Sequence, residues 1–339
     1  MRPVMRLASL LLVLVTLTLV SCSDGGSPGD RETVVLYSSV DRWLMEQEIL
    51  PAAEAATGLE IRYLGDNEAN KTTGLVQRLL SEKDSPRADV WWSSEPFGTV
   101  RLAQESVLTP STPDTIPADW PARLVGTDNL WYGFGQRARV IAYHPERVPE
   151  SDLPRSMPEF VEVGSRYRIG IARPEFGTTR GHMAALLASW GEETFREWLA
   201  ALEAAGVKIY DGNATVVRAI ATGEIDLGLT DTDDVYAAQR NGDPVAMTFE
   251  SWSLLFPNTA GLVAGGPNPD AGAKLLAWIL SPECERLLAA SDSRNIPVHA
   301  SLEPPLPELA GLEAMEIDFA AVAANVERAM QLVGEVLGP

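Results

Sequence analysis

Short apolar runs alternate with amphipathic segments along nearly the whole chain, and this alternation restricts the fold more than any single residue does. Residues 33–37 form an apolar strand, residues 43–57 have helical spacing with Gly58 placed to stop them, and residues 59–64 alternate as a strand again. Strand, helix and strand in so short a compass make a βαβ unit, because parallel neighbours need a crossover long enough to return the chain to the same edge. The pattern continues with a helix over 71–83 and a strand over 88–92, whose consecutive apolar residues fit burial on both faces. Segments 139–143 and 167–172 read as strands, 181–190 and 193–205 as helices, and 207–210 as a strand. A helix over 215–222, ended by Gly223, and a strand over 225–229 follow. The expected fold class is α/β, with mainly parallel sheets flanked by helices.

Sheets of this kind collect ligand groups in the loops beyond the carboxyl ends of their strands. The first strand is followed by Ser38, Ser39, Val40 and Asp41, and the 88–92 strand by Ser93, Ser94 and Glu95. After the 167–172 strand come Glu175, Phe176, Gly177, Thr178, Thr179 and Arg180; after 207–210 come Asp211, Gly212, Asn213, Ala214 and Thr215. The last of these strands runs into Asp231, Thr232, Asp233 and Asp234. Hydroxyls, amides and carboxylates at equivalent positions are the pattern of a ligand cleft.

The amino terminus points to export. Arg2 and Arg6 precede an apolar run over residues 7–20 that ends in Leu19, Val20, Ser21 and Cys22. A basic region before a short apolar stretch is the layout of a secretory signal, and the stretch is short for a membrane span. A small residue before the cysteine is what a lipoprotein signal peptidase needs, and the arrangement is identified as a bacterial lipobox. Residues 1–21 are therefore expected to be removed and Cys22 lipidated. Residues 22–32, rich in glycine and polar groups, read as a flexible tether. Loss of Arg2 and Arg6 takes the formal charge from −20 to −22, which excludes a nucleic-acid partner and leaves the lipid as the sole link to a membrane. Cys284 is then left without a disulfide partner. The expected location is the periplasmic side of a bacterial membrane, or the cell surface.

Catalysis finds little support. The three histidines, His144, His182 and His299, are not at metal-helix spacing, and the chain has no G-x-S-x-G elbow, H-E-x-x-H or phosphate-binding lysine loop. The chain is expected not to be an enzyme and to need no catalytic cofactor.

Taken together, VVLYSSVD (34–41), SPRADVWWSSE (85–95), WYGFGQRARVIAY (131–143), GVKIYDGNATVV (206–217), GEIDLGLTDTDD (223–234) and the stretch 256–288 resemble the iron(III)-type solute-binding proteins of ABC transporters. The resemblance implies a type II periplasmic-binding-protein fold: two lobes joined by hinge strands and closing on one small ligand. Lobe 1 is expected to comprise residues 33–136 plus 249–290, and lobe 2 residues 137–248 plus 291–339. The partners implied are a permease and its ATPase, and the chain is expected to be a monomer.

The family's metal positions carry over with departures. Asp41 stands where a histidine is common, Glu95 matches an acidic ligand to within one residue of register, and Asp233 and Asp234 replace a tyrosine pair. Tyr143 matches a tyrosine that ligates iron in some members. Carboxylates are hard oxygen donors that suit calcium, magnesium or manganese as well as iron. Against ligation stands capping: aspartates in a first helical turn are favoured by the backbone N–H groups and the helix dipole. An EF-hand is excluded, since Tyr236 occupies the place of the required glycine and Gly242 that of the closing glutamate. Ser38, Ser39, Gly177, Thr178, Thr179, Arg180, Asn213 and Arg137 are candidate contacts for an anion, because helix starts and guanidinium forks attract negative charge. Such an anion would accompany the metal. In the alternative reading, a phosphonate or other small organic anion is the ligand itself.

Overall fold

A computed structural model describes residues 31–65, 72–248, 253–304 and 315–338. The signal segment, Cys22 and all but the end of the tether lie outside the described residues. Two long antiparallel strands run through the middle of the sheet, with parallel strands on both flanks. From the amino terminus the elements are β1 (Thr33–Ser38), α1 (Arg42–Leu44), a π-helical turn (Met45–Ile49), α2 (Leu50–Thr57), β2 (Glu60–Gly65), α3 (Thr73–Ser81), β3 (Val90–Ser93), α4 (Pro96–Gln104) and β4 (Leu108–Thr109). Next come β5 (Tyr132–Tyr143), α5 (Met157–Glu162), β6 (Ile169–Ala172), α6 (Gly177–Trp190), α7 (Glu192–Ala204), β7 (Lys208–Tyr210), α8 (Asn213–Ala221), β8 (Leu227–Asp231) and α9 (Thr232–Arg240). The chain closes with β9 (Ala246–Thr248), β10 (Leu255–Val263), α10 (Pro269–Ile279), α11 (Pro282–Ala290) and α12 (Phe319–Leu337).

The sheet runs β2-β1-β3-β10-β5-β8-β6-β7, with β4 on β10 and β9 on β5. Parallel pairing of β1 with β2 and β3, and of β6 with β7 and β8, makes each flank the βαβ architecture expected from the alternation. β5 is longer than the strand read over 139–143. Its first half pairs antiparallel with β10 and its second half with β8. Gly135, at φ +44, falls within the first half, and the β5–β10 register shifts opposite it between Pro257 and Asn258. A side chain there would be strained, and an added Cβ would meet Leu288 at 2.8 Å.

The helix expected over 43–57 is present but interrupted by the π turn. Pro51, in the first turn of α2, has no N–H to continue the ladder, and Gly58 ends the helix at φ +70. Trp91 and Trp92, from a strand buried on both faces, are completely buried and donate their indole N–H groups to Thr99 Oγ1 (2.8 Å) and Asn258 Oδ1 (3.2 Å). α12 packs mainly on α6 and, to a lesser and equal extent, on α4 and α7, so the carboxyl-terminal helix contacts helices from both flanks of the sheet. No helix among the described residues is long and apolar enough to cross a membrane.

Candidate functional site

The loops after β1, β3, β6, β7 and β8 all open toward one cavity of about 560 Å³. It is lined by Asp41, Trp43, Ser94, Arg137, Arg173, Phe176, Gly177, Thr178, Thr179, Asp211, Asn213, Asp231, Asp233, Asp234 and Asp292, among others. β8 ends on Asp231 and α9 begins on the next residue, which brings oxygens of Asp231, Asp233 and Asp234 within 4.8 Å of one another. Asp41 reaches the same cavity from the opposite flank of the sheet. Its Oδ1 caps α1, accepting from the backbone N–H of Trp43 (2.9 Å) and Leu44 (3.3 Å), so the capping reading holds for one of its two oxygens.

Beneath the floor lies a charge network. Arg139, with no exposed surface, donates through Nη1 to Asp231 Oδ1 at 2.8 Å. Asp231 Oδ2 accepts from Thr178 Oγ1 (2.5 Å), Asn213 Nδ2 (3.0 Å) and Arg137 Nε (3.3 Å). Burial opposes ionisation of Asp231, but the charges of Arg139 and Arg137 and the Thr178 hydroxyl outweigh it and hold the carboxyl below the usual carboxylate range. Arg137 Nε also lies 3.8 Å from Asp233 Oδ2. Burial works against the Arg137 cation, yet the surrounding Asp233 and Asp231 carboxylates raise its pKa.

His182 is buried beside Arg139, whose Nε donates to its Nδ1 at 3.5 Å. Desolvation first, and the Arg139 charge second, push its pKa down to about 3, so it is neutral in the folded protein. The unfolded chain then binds a proton at higher pH than the folded one. This contribution to stability is complete above about pH 6.5 and is lost as pH falls toward 3. By pH 4 the loss amounts to on the order of 3 kcal/mol, and His182→Gln flattens the slope of unfolding free energy against pH between 6.5 and 4. Urea melts across that range check it; a parallel slope for the variant contradicts it.

The remaining expected residues fall into two groups. Gly177, Thr178, Thr179, Asn213 and Arg137 line the cleft. The threonines and Asn213 are not ordinary caps, since neither α6 nor α8 carries a side-chain cap bond; Thr178 and Asn213 turn to Asp231 instead. Glu95 does not join the cluster. It is buried, caps α4 by accepting from Phe97 N (2.6 Å) and Gly98 N (3.0 Å), and faces a separate cavity of about 320 Å³. Burial raises its carboxyl pKa against those two N–H groups. The neighbouring Ser94 lines the cleft in its place, one residue away in register.

Arg180 also faces the second cavity and pairs with Glu327 of α12 at 2.9 Å. Ser38 and Ser39 are turned inward: Ser38 Oγ accepts from Val40 N (3.2 Å), while Ser39 Oγ accepts from Ser94 N (3.0 Å) and Thr72 Oγ1 (3.1 Å), tying loops together. Tyr143 lies at the wrong end of the sheet. β5 is antiparallel to β8, so Tyr143 pairs with Leu227 at the start of β8, whereas the cleft is at Asp231 at its finish. Burial, then Glu150, raises its phenol pKa.

Residues 48–315 match the family of bacterial extracellular solute-binding proteins. The chain belongs to that family. This solute-binding protein is 24% identical to iron uptake protein A1 of Synechocystis over 279 residues, covering 78% of this chain and 76% of that protein. It is 26% identical to the major ferric iron-binding protein of Neisseria meningitidis serogroup A over 301 residues, covering 85% and 88%. A putative 2-aminoethylphosphonate-binding periplasmic protein of Salmonella typhimurium is 24% identical over 296 residues, 82% of each chain. Among solved structures, iron-bound HitA from Pseudomonas aeruginosa superposes with a TM-score of 0.80 at 23% identity, over 90% of this chain and 99% of that one. The fold is thus that of a periplasmic binding protein.

Proposed function

We propose that this protein is the cargo receptor of an ABC importer and takes a hard, multivalent cation into the cleft, in keeping with its iron-binding relatives. It has no catalytic role. The observation that carries the reading is the cluster of Asp231, Asp233 and Asp234, three carboxylates whose oxygens come within 4.8 Å on the wall of a ligand-sized cavity. Like charges this close stay together where a cation or guanidinium offsets their repulsion. All-carboxylate donors suit iron and equally manganese, magnesium or calcium.

In this reading the two flanks of the sheet, residues 33–136 plus 249–290 and 137–248 plus 291–339, act as lobes. They close so that Asp41 meets Asp233 and Asp234, and the amino ends of α6 and α8 accommodate an accompanying anion. The chain acts as a monomer, tethered through lipidated Cys22 after loss of residues 1–21, and hands its cargo to a permease driven by its ATPase.

Trp43 supplies the test. It lines the cavity, is 56% exposed, and lies two residues from Asp41. In the chelator-stripped protein, iron or manganese should give a saturable blue shift of emission that Trp43→Phe abolishes. A saturable response to a phosphonate in the presence of chelator, with none to any metal, would replace the cation by an organic anion.

A further inference from the structure

The second cavity, of about 320 Å³, adjoins the cleft at Gly177, the one residue named in the lining of both. Its walls come from α3, α4, α6 and α12, and its size is at the small end of the range for ligand pockets. Val76, Phe97, Ala323 and Val326 give it an apolar surface. Two groups of opposite charge interrupt that surface. Glu95 is 4% exposed, and each of its oxygens accepts one backbone N–H, from Phe97 and from Gly98. A carboxylate has roughly four acceptor sites, so about two stay open. Arg180 and Arg137 act on Glu95 through their charges, but neither is bonded to it. Across the cavity, Arg180 Nε is buried and has no hydrogen-bond partner among the described residues, while its Nη2 reaches out to the exposed Glu327. A buried donor without an acceptor is rare in native structures because desolvating it is costly.

We infer that this cavity is a second ligand site, separate from the cargo cleft, for a small zwitterion with an apolar body, such as a branched aliphatic amino acid. The ligand's carboxylate accepts from Arg180 Nε, its ammonium donates to Glu95, and its hydrocarbon part rests on Phe97 and Val326. Other occupants leave one of these features unmet. A simple anion satisfies Arg180 but sets a second negative charge beside buried Glu95. A simple cation satisfies Glu95 and leaves the Nε donor open. Water serves both groups and leaves the apolar walls wet. Burial raises the Glu95 pKa, and an ammonium beside it works in the opposite direction. The inference stands independently of the cation reading, since Asp41, Asp233 and Asp234 face the other cavity.

The test is calorimetry on the chelator-stripped protein with three probes: L-leucine; 4-methylpentanoate, which is leucine without its amine; and 3-methylbutylamine, which is leucine without its carboxylate. Leucine should bind once per chain and at least about tenfold more tightly than either analogue, because each analogue forfeits a hydrogen bond between charged groups. Arg180→Gln should weaken leucine by at least about tenfold, and Asp233→Asn with Asp234→Asn should leave its affinity unchanged. No binding of leucine at millimolar concentration overturns the inference, as does full affinity in Arg180→Gln. Equal binding of 4-methylpentanoate removes the contact with Glu95 and so the zwitterion. Loss of leucine binding in the double aspartate variant would place the ligand in the cleft and overturn the separate site. Glu95→Gln should also weaken leucine; since Glu95 caps α4, a thermal melt accompanies it, and if that variant does not fold, the amine-free acid still reads the same contact.

Discussion

Asp231→Ala should cost about 3–5 kcal/mol of folding stability, the range for stripping one partner from a buried ion pair. Arg139 has no exposed surface and its shortest bond, 2.8 Å, goes to Asp231. Without the carboxylate a buried guanidinium keeps Asn213 Oδ1 at 3.2 Å, Thr178 Oγ1 at 3.4 Å and His182 Nδ1 at 3.5 Å, all uncharged. Thr178, meanwhile, loses the acceptor of its 2.5 Å bond. The effect is a penalty of desolvated charge, so the double variant Asp231→Leu with Arg139→Met should lose less than the two single losses added together. Urea unfolding of the cation-free proteins measures both. A loss under about 1 kcal/mol for Asp231→Ala would show that Arg139 finds another anion or water.

The double variant Asp233→Asn, Asp234→Asn should bind cargo at least about a hundredfold more weakly while folding normally. Each carboxylate within about 4 Å of a cation is worth a few kcal/mol at an effective dielectric near 20, and every 1.4 kcal/mol is tenfold in affinity. Asparagine keeps the shape and one carbonyl oxygen but gives up the charge. Both residues lie in the first turn of α9, where the dipole favours acidic groups by a few tenths of a kcal/mol each. Removing their mutual repulsion offsets that loss, so stability should shift by less than about 1 kcal/mol. A helix-capping role would give the opposite pattern, with stability lost and affinity kept.

Much of this was legible in the residues. The βαβ units follow from apolar spacing, and the cleft from the rule that ligand loops follow the carboxyl ends of parallel strands. Gly58, which ends α2 at φ +70, is where helix-stop chemistry puts it. Loop membership failed where it had to stand in for side-chain direction. Glu95 sits in the right loop, but its carboxylate is claimed by the open N–H groups of the helix one residue on, and Ser94 faces the cleft. Tyr143 was placed by its motif, and the antiparallel run of β5 carries it to the far end of the sheet.

The buried pair could have been found. Arg137 and Arg139 are two apart on a strand and so share a face, and in the β5–β8 register Arg139 stands directly opposite Asp231. Asp292 could not, because nothing local ties it to a cleft whose other named residues come from β5 and from the loops after β1, β3, β6, β7 and β8.

Equilibrium dialysis of the chelator-stripped wild-type protein beside the Asp233→Asn, Asp234→Asn variant, against a buffered cation series, tests the central claim most directly. The account predicts one bound cation per wild-type chain, and none in the variant at concentrations that saturate the wild type. Equal occupancy of the two proteins, or no cation in either, would contradict it.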